Sequence, residues 1–342
     1  MPDQDLLAPL RHSVAAAAAA VTGAEVGEVV LEPPARAEMG DLASPVAMTL
    51  AKAARRPPRE IAEGLVARLA EDPATGPLLE RVEVAGPGFV NLTLSPAWYA
   101  GAVRAVVAAG AGYGAGQAAP PERILLEYVS ANPTGPPHVG HARHAAYGDS
   151  LGRILTFAGH DLEREFYVND AGRQMRLFGA SVAARYAELA GVPAEVPEDG
   201  YHGAYVIEVA AAVREELGDG LAEAAAAGEA DVLAAISERA EARMIAAIKA
   251  DLERFRTGFD AFFSERGLHA DGRVAEGVGA LEASGDAYIA DDALWFRTSA
   301  YGDEKDRVLV RGNGETTYLA ADVAYHLDKA ARGHDRLIDV LG

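Results

Sequence analysis

Two histidines stand three residues apart in SANPTGPPHVGHARHAAYGDSLGR, residues 130–153, a segment that follows an apolar run typical of a strand. The residues Asn132–Gly135 predict a turn out of that strand, two prolines fix the entry angle, and a helix follows. His138 and His141 would project from the first turn of this helix, where free backbone N–H groups attract phosphate. Each imidazole can donate an N–H group to a phosphate oxygen, and Gly140 leaves room for a flat ligand such as adenine.

A pair of donors in this position can stabilise the charge on a transferring phosphoryl or nucleotidyl group, and this chemistry needs no protein nucleophile. The residue types alone leave two other interpretations open. The histidines can simply cap the helix, or they can be half of a metal site. The chain has no cysteine and no third ligand at metal-like spacing near the pair, so we predict no protein-bound metal.

The elements around the histidine pair alternate between strand and helix, which is typical of a parallel α/β sheet. RILLEYVS predicts a buried strand, the helix after the pair extends to about residue 158, and EREFYVND predicts a second strand with a second helix after it. Acidic, alanine-rich helices at about 192–290 are predicted to form an insertion. The pattern resumes with a hairpin that turns at Gly312–Gly314, a helix that ends at Gly333 and the strand RLIDVLG.

A smaller α+β module of about a hundred residues precedes this sheet. We predict an N-terminal helix, a strand in EVGEVVLEPP, two helices in residues 39–71 broken at a proline pair, and two strands around a Gly-Pro-Gly turn. The segment GAGYGAGQAAPP is rich in glycine, alanine and proline and is the best linker candidate. The predicted domains are therefore 1–112 and 122–342, with a linker at 113–121.

The chain of 342 residues has a formal net charge of −20, which argues against a protein coated in nucleic acid. The stretch AKAARRPPRE is a local exception, in which Arg55 and Arg56 lie among further basic residues and one acid. It can meet RNA, or it can be the solvated start of a helix. No apolar run reaches the ~18 residues of a transmembrane helix, no secretory signal is recognisable and cysteine is absent, so we predict a cytoplasmic protein without a membrane partner.

The sequence around the histidine pair resembles the arginyl-tRNA synthetases, a family of class I aminoacyl-tRNA synthetases. HVGH is similar to the HIGH signature of the class, and the more specific resemblance lies in SANPTGP before it and YVNDAGRQ after it. MGDLASPVAMTLAKAARRPPREIAEGL and GDEKDRVLVRGNGETTYLAADVAYHLDKAARGHDRLIDVLG also resemble segments of that family. The resemblance implies an α/β fold, with a Rossmann-like parallel-sheet catalytic core, a helical insertion and a small α+β N-terminal domain that contacts tRNA.

The resemblance also implies roles for individual residues. Those that would bind ATP are His138, Val139, Gly140 and His141. Those that would bind L-arginine are Glu127, Ser130, Asn132, Tyr318 and Asp322. Those that would contact tRNA are Arg55 and Arg56. The two histidines would be catalytic, because they would stabilise the α-phosphate of ATP while the carboxylate of arginine attacks it. Mg²⁺ is expected with ATP, and L-arginine, ATP and tRNA(Arg) are the expected partners of a monomer.

The residue types alone leave alternatives for two of these positions. Tyr318 can be a hairpin aromatic that packs into the core, and Asp322 can be a helix N-cap. The resemblance stops at Gly342, where the family continues with a second signature and an anticodon-binding domain, so we predict that the chain is a fragment. Two other functions remain open: a truncated paralogue that only binds arginine, a nucleotide or tRNA, and another adenylyltransferase of the same superfamily.

Overall fold

The computed structural model describes residues 5–341, and the chain divides after Ala115 into two compact units. The predicted linker spans this division. Residues 1–4 and residue 342, which the predicted domains include, lie outside the described residues. Within the described range, no helix has both the length and the apolar character needed to cross a lipid bilayer.

The first unit contains helices and a small antiparallel sheet. Its elements, in chain order, are α1 (Ala8–Thr22), β1 (Leu42–Ser44), α2 (Val46–Ala54), α3 (Pro58–Glu71), β2 (Leu79–Ala85), β3 (Phe89–Leu94) and α4 (Pro96–Ala109). β3 lies between β1 and β2, and both pairings are antiparallel. The apolar residues of α1 and α3 recur at helical spacing, and Val14, Ile61 and Leu65 are buried in the core.

The strand expected in EVGEVVLEPP is not formed, so this prediction was wrong. The segment alternates in burial, because Val29 and Leu31 are buried while Val30 is exposed, but a single bridge between Glu32 and Ala43 joins it to the sheet. Alternation with period two is a property of an extended chain lying on a core, and it does not require the ladder of hydrogen bonds that defines a strand. The strand that does form, β1, lies within the segment predicted to be helical.

The second unit is built on a parallel sheet. Its elements, in chain order, are β4 (Arg123–Glu127), α5 (Val139–Ala158), β5 (Asp161–Val168), α6 (Gly172–Leu189), α7 (Ala204–Leu217), α8 (Ala222–Ala227), α9 (Ala230–Arg254), β6 (Ala261–Ser264), α10 (Glu265–Ala270), α11 (Arg273–Ser284), β7 (Ala287–Ala290), β8 (Ala293–Phe296), β9 (Arg307–Val310), α12 (Tyr318–Ala331) and β10 (Arg336–Asp339). The strand order is β10, β4, β5, β6, and each neighbouring pair is parallel. Strands β7, β8 and β9 form a separate antiparallel sheet. The predicted α/β fold with a parallel sheet is therefore confirmed.

The structure differs from one predicted boundary in this unit. The helical insertion was expected at 192–290, yet β6 lies inside that range and pairs with β5, so the inserted helices end at Arg254. β6 has only four residues, too few for a period to stand out between helices. The hairpin predicted to turn at Gly312–Gly314 does turn there, because the amide of Arg311 donates to the carbonyl oxygen of Glu315 and the amide of Thr317 to that of Leu309, each at 2.8 Å. Its return arm is short, since α12 begins at Tyr318.

Helix α5 lies close to the end of β4 because Gly148 has no side chain. An added Cβ at this position would lie 2.3 Å from Cγ of Tyr128. Tyr128 is fully buried, its ring stacks on Phe259 with centroids 4.4 Å apart, and its hydroxyl donates to the carbonyl oxygen of Gly258 at 2.6 Å. Because the tyrosine cannot move aside, the glycine sets how near the histidine-bearing helix comes to the sheet.

We predict that Gly148→Ala lowers the free energy of unfolding by about 1–3 kcal/mol, because the added methyl group overpacks a site with no room. Gly279→Ala in α11 is the matched control, since nothing lies within 4 Å of its added Cβ. This second change should stabilise the protein by about 0.5–1 kcal/mol through helix propensity. Unfolding in urea measures both values, and equal effects of the two changes would contradict the close packing of α5 on Tyr128.

Candidate active site

A row of three carboxylates crosses the parallel sheet at and near the carboxyl ends of its strands. Asp339 on β10 is the register partner of Glu127 on β4, which in turn is the register partner of Glu165 on β5. Partners in neighbouring strands project from the same face, and like charges side by side destabilise a sheet. Open parallel sheets bind their ligands outside this edge, so the groups that compensate these charges lie at the candidate site.

Lys329 on α12 is the central compensating cation, and it was not among the predicted site residues. It is 0% exposed, and its ammonium group donates to Glu127 Oε2 and to Asp339 Oδ1, each at 2.5 Å. The ammonium also lies 4.3 Å from the ring centroid of Tyr325. The signal that could have revealed Lys329 is its spacing, since it follows Asp322 by two helical turns on the same face of α12.

A second cation, at the C-cap of α12, compensates the carboxylate of the neighbouring strand β5. Arg332 donates to both carboxylate oxygens of Glu165, at 2.6 and 2.8 Å, and the hydroxyl of Tyr325 donates to the same carboxylate at 2.6 Å. Glu165 is fully buried, and a fork of two charge-assisted bonds is the strong geometry for such a pair. Lys329 and Arg332 together therefore supply the cations for three neighbouring strands, β10, β4 and β5.

His326 forms the outer end of this network. Its Nδ1 lies 2.9 Å from the carbonyl oxygen of Asp322, and its Nε2 lies 3.2 Å from Asp339 Oδ2. Both oxygens can only accept hydrogen bonds, so this arrangement favours the charged form of the ring. The bond to Asp339 raises the pKa of His326, and the His326 ring together with Lys329 holds the pKa of Asp339 well below its usual range.

A strained turn after β4 places Ser130 against Glu127. Val129 has a φ of 71° and Ser130 a φ of 34°, in the left-handed region that side chains rarely adopt. The amide of Ser130 donates to the carbonyl oxygen of Tyr128 at 3.0 Å, which closes a three-residue turn. The hydroxyl of Ser130 then donates to Glu127 Oε1 at 2.7 Å and accepts from the amide of Tyr167 at 3.1 Å. Both carboxylate oxygens of Glu127 are thus held in place.

Asn132 follows this turn and lies at the end of β5. Its side-chain nitrogen donates to the carbonyl oxygen of Asn169 at 2.8 Å, and a bridge joins Ala131 to Val168 beside it. Asn132 is half-buried, and its position is fixed by the backbone of the next strand. Three of the predicted site residues, Glu127, Ser130 and Asn132, therefore come together at one edge of the sheet.

Tyr318 and Asp322 lie one turn apart at the start of α12, and neither has the alternative role that its residue type allowed. The N-cap of α12 is Thr317, and Tyr318 is 53% exposed instead of packed in the core. The carboxylate of Asp322 reaches solvent on one side and accepts no hydrogen bond from any residue in 5–341. Burial on its protein side raises the pKa of Asp322; attraction by His326 and Lys329 opposes this shift, and repulsion from Glu127 adds to it. Glu127, Asp339 and Glu165 each form an ion pair, whereas Asp322 forms none with any described residue.

His138 and His141 cap the first turn of α5. His138 is the N-cap, and its Nδ1 accepts the N–H of Gly140 at 3.1 Å, while Nδ1 of His141 accepts the N–H of His138 at 3.2 Å. The two rings stack with centroids 3.9 Å apart. An added Cβ on Gly140 would lie 2.9 Å from Cε1 of His138, so the glycine makes room for the ring. The capping interpretation describes this geometry, and it leaves Nε2 of each ring available to donate.

The histidine pair lines a cleft of about 480 Å³, with Arg254 and Phe255 from the end of α9 among its other residues. Val139 is 87% exposed in this cleft. The pKa of His141 is lowered, first because burial disfavours its charged form and then because His138 and His144 repel that charge. The metal interpretation finds no third ligand, since no group of three metal-binding side chains occurs in the described part of the chain.

The two basic residues predicted to contact tRNA lie at the end of α2, in the first unit. Arg55 is the C-cap of that helix and has a φ of 52°. Arg56 donates to the carbonyl oxygen of Val21 at 3.0 Å and lies 3.9 Å from Glu60. The side chain of Arg55 forms neither a hydrogen bond nor an ion pair with any described residue. Of these two arginines, Arg55 is therefore the one whose guanidinium group has no partner among the described residues.

Comparison with known proteins gives one consistent assignment. Residues 8–94 match the family model of the arginyl tRNA synthetase N-terminal domain, and residues 103–341 match that of the class I tRNA synthetase (R) catalytic domain. The arginine–tRNA ligase of Solidesulfovibrio magneticus is 47% identical over 92% of this chain and 56% of its own length. That of Shouchella clausii is 43% identical over 94% of this chain and 57% of its own length. The chain thus spans a little over half the length of these curated relatives.

Solved structures agree with this assignment. A Campylobacter jejuni structure described as an arginyl-tRNA synthetase superposes with a TM-score of 0.65 at 34% identity, covering 73% of this chain and 54% of its own. The arginyl-tRNA synthetase of Thermus thermophilus superposes with a TM-score of 0.55 at 24% identity, over 93% of this chain and 52% of its own. The second likeness supports the fold.

We predict that the neutral forms of His138 and His141 carry their proton on Nε2, because each Nδ1 accepts a backbone N–H. His141 should titrate below the usual range of histidine, and His144→Gln should bring its pKa closer to that range by removing one repelling charge. Correlation spectra of ¹⁵N-labelled histidine report both the tautomer and the titration. A proton on Nδ1 of either ring would contradict the capping geometry.

Proposed function

Because this chain belongs to the arginyl-tRNA synthetase family, we propose that the natural protein activates L-arginine with ATP and transfers it to tRNA(Arg). Family membership confirms the predicted resemblance and removes the alternative of another adenylyltransferase of the superfamily. The observation that carries the proposal is Asp322, a carboxylate that forms no ion pair with any described residue although it lies beside Glu127 and Asp339, whose carboxylates are both paired with Lys329. Arginine-dependent exchange of pyrophosphate into ATP and charging of tRNA(Arg) test it directly.

The guanidinium group of arginine would lie between the two carboxylates at the strand ends. A planar fork of N–H donors is recognised by carboxylate oxygens, which Asp322 and Glu127 supply, and the exposed ring of Tyr318 can cover its face. Ser130 fixes one oxygen of Glu127, and Asn132 would hold the α-amino end of the substrate. The chemistry of these residue types suits a cationic side chain attached to an amino acid.

The phosphates of ATP would lie at the start of α5. The Nε2–H groups of His138 and His141 and the helix N-terminus are donors for the α-phosphate, and Val139 and Gly140 would contact the nucleotide. An oxygen of the arginine carboxylate attacks the α-phosphorus, arginyl-adenylate forms and pyrophosphate leaves. Donors already in place stabilise the negative charge that develops on the phosphoryl oxygens. Mg²⁺ would enter with the phosphates, and we assign it no protein ligand.

The N-terminal unit would contact tRNA. Arg55 presents its charge at the end of α2 without a partner among the described residues, whereas Arg56 is already bound to a backbone carbonyl oxygen. Phosphate contacts by arginine position a nucleic acid without reading its sequence. The family resemblance supports a monomer that works in the cytoplasm, and we extend the proposal to both.

We predict that Asp322→Asn weakens L-arginine binding about 10- to 100-fold, because a hydrogen bond to a charged group contributes about 1.5–3 kcal/mol. ATP binding should change less than twofold. Titration calorimetry with each ligand separates the two effects.

Asp328→Asn on the same helix is the matched control for Asp322→Asn, since Asp328 pairs with Arg273 and Arg332 inside the protein. It should lower stability and leave the arginine affinity within twofold. Equal losses of arginine and ATP binding in Asp322→Asn would show that the guanidinium site is misplaced.

We predict that Arg55→Gly weakens binding of a tRNA(Arg) transcript about three- to tenfold and lowers the salt dependence of binding by about one counterion. Glycine suits the left-handed backbone at this position, so the change removes the charge while the fold is kept or slightly stabilised. Filter binding at several salt concentrations measures the affinity and its slope. Arg104→Gln on α4, an exposed arginine of the same unit, is the control. An equal loss of tRNA affinity in both variants would show that Arg55 has no specific role in tRNA binding.

A further inference from the structure

The two ion pairs that α12 makes with the row of carboxylates differ in how many further hydrogen bonds each carboxylate can accept. Arg332 occupies both oxygens of Glu165, which lies inside β5 and is 0% exposed. Glu127 is the last residue of β4, and within the described residues its carboxylate accepts from one cation, Lys329, and one hydroxyl group. Each carboxylate oxygen can accept about two hydrogen bonds. Glu127 therefore keeps capacity for the N–H groups of a ligand.

The carboxylates that face α12 differ in their ion pairs. Lys329 contacts both Glu127 and Asp339, and the ring of His326 contacts Asp339 as well. Asp322 forms no ion pair with any described residue, although Lys329 and His326 attract its charge from a greater distance. A guanidinium group carries one positive charge, so one uncompensated negative charge is complementary to it.

We propose that Lys329 is a positioning residue of the arginine site, which fixes the Glu127 carboxylate and cancels its charge so that Asp322 forms the ion pair with the guanidinium. Glu127 then serves as a hydrogen-bond acceptor for the guanidinium N–H groups. This inference rests on the proposed function, because it assigns different roles to the two carboxylates of that amino-acid site.

Lys329 can fix the position of Glu127 because the side chain of Lys329 is itself buried and fixed by its contacts. It is 0% exposed and contacts two carboxylates and the ring of Tyr325. The charged and titratable groups that face Glu127 are Asp322, Tyr325 and Lys329 on α12, Asp339 on β10, and Glu165 and Tyr167 on β5. Lys329 is the cation among them, so its loss would leave Glu127 buried and unpaired, and such a group takes up a proton.

The test compares L-arginine with L-citrulline, its uncharged isostere, as ligands of the full chain. The ratio of their affinities in the wild-type protein measures the ion pair. The double variant Glu127→Gln with Lys329→Met removes one negative and one positive charge, so the ratio should stay within about threefold of wild type while both amino acids bind more weakly. Asp322→Asn should lower the ratio at least about tenfold.

Arg332→Met is the matched control, because it removes the neighbouring cation from the same helix. It should lower the melting temperature and leave the affinities for arginine and ATP within about twofold. Lys329→Met alone gives a second test that does not need the double variant. This variant should bind both amino acids more weakly and leave the affinity for ATP unchanged. Its arginine affinity should also rise with pH more steeply than that of the wild type, because the unpaired Glu127 must first lose a proton.

Three outcomes would overturn the inference. If the ratio of arginine to citrulline affinity fell as far in the double variant as in Asp322→Asn, the ion pair with the guanidinium would be formed by Glu127. Equal losses of arginine and ATP binding in Lys329→Met, with an unchanged pH profile, would make Lys329 a structural residue only. A wild-type chain that does not prefer arginine to citrulline would overturn the proposed function, and this inference with it.

Discussion

Three carboxylates that stand side by side at and near the strand ends must be compensated, and the second unit is arranged around this requirement. Asp339, Glu127 and Glu165 would repel one another on one face of the sheet, and α12 brings Lys329 and Arg332 to them. Buried charges are tolerated only with partners, so the helix can dock on the sheet in one register. That register also carries the first turns of α12, with the unpaired carboxylate, to the same strand ends. The stability of the core and the position of the candidate site are thus set by a single helix.

The backbone adds a second constraint at the same place. A valine with φ near 70° is held in a sparsely populated conformation that costs about 1–3 kcal/mol. The structure keeps Val129 there because both neighbours are anchored: Tyr128 is locked by its stacked ring and its hydroxyl, and Ser130 bonds to Glu127 and to the next strand. A relaxed turn would not aim the serine hydroxyl back at the carboxylate. Local strain here accompanies the fixed orientation of Ser130 against Glu127, and the surrounding packing maintains it.

The features that the sequence predicted correctly have local signals. Alternation around a Gly-Pro-Gly turn gave β2 and β3, and the repeated order of strand and helix gave β4, α5, β5 and α6. Features that depend on distant partners were missed or misplaced. The four residues of β6 become a strand only beside β5, and the partners of Lys329 lie 202 and 10 residues away in the sequence. Periodicity predicts that a helix has a buried face, but it does not say which strand lies beneath that face, so a buried lysine cannot be paired in advance.

The two interpretations of the histidine pair that the residue types left open, helix cap and phosphate site, are not exclusive. The cap uses Nδ1 of each ring, which fixes the tautomer and leaves an Nε2–H donor. Stacking holds the two rings in one orientation before any ligand arrives, so the entropy of ordering them is already lost in the folded chain. A phosphate at this position would meet donors that need no rearrangement. The sequence pattern cannot separate the two roles, because both require side chains with a second polar atom at the same two positions of the first turn. In this geometry the cap would also orient the rings for the phosphate that we propose.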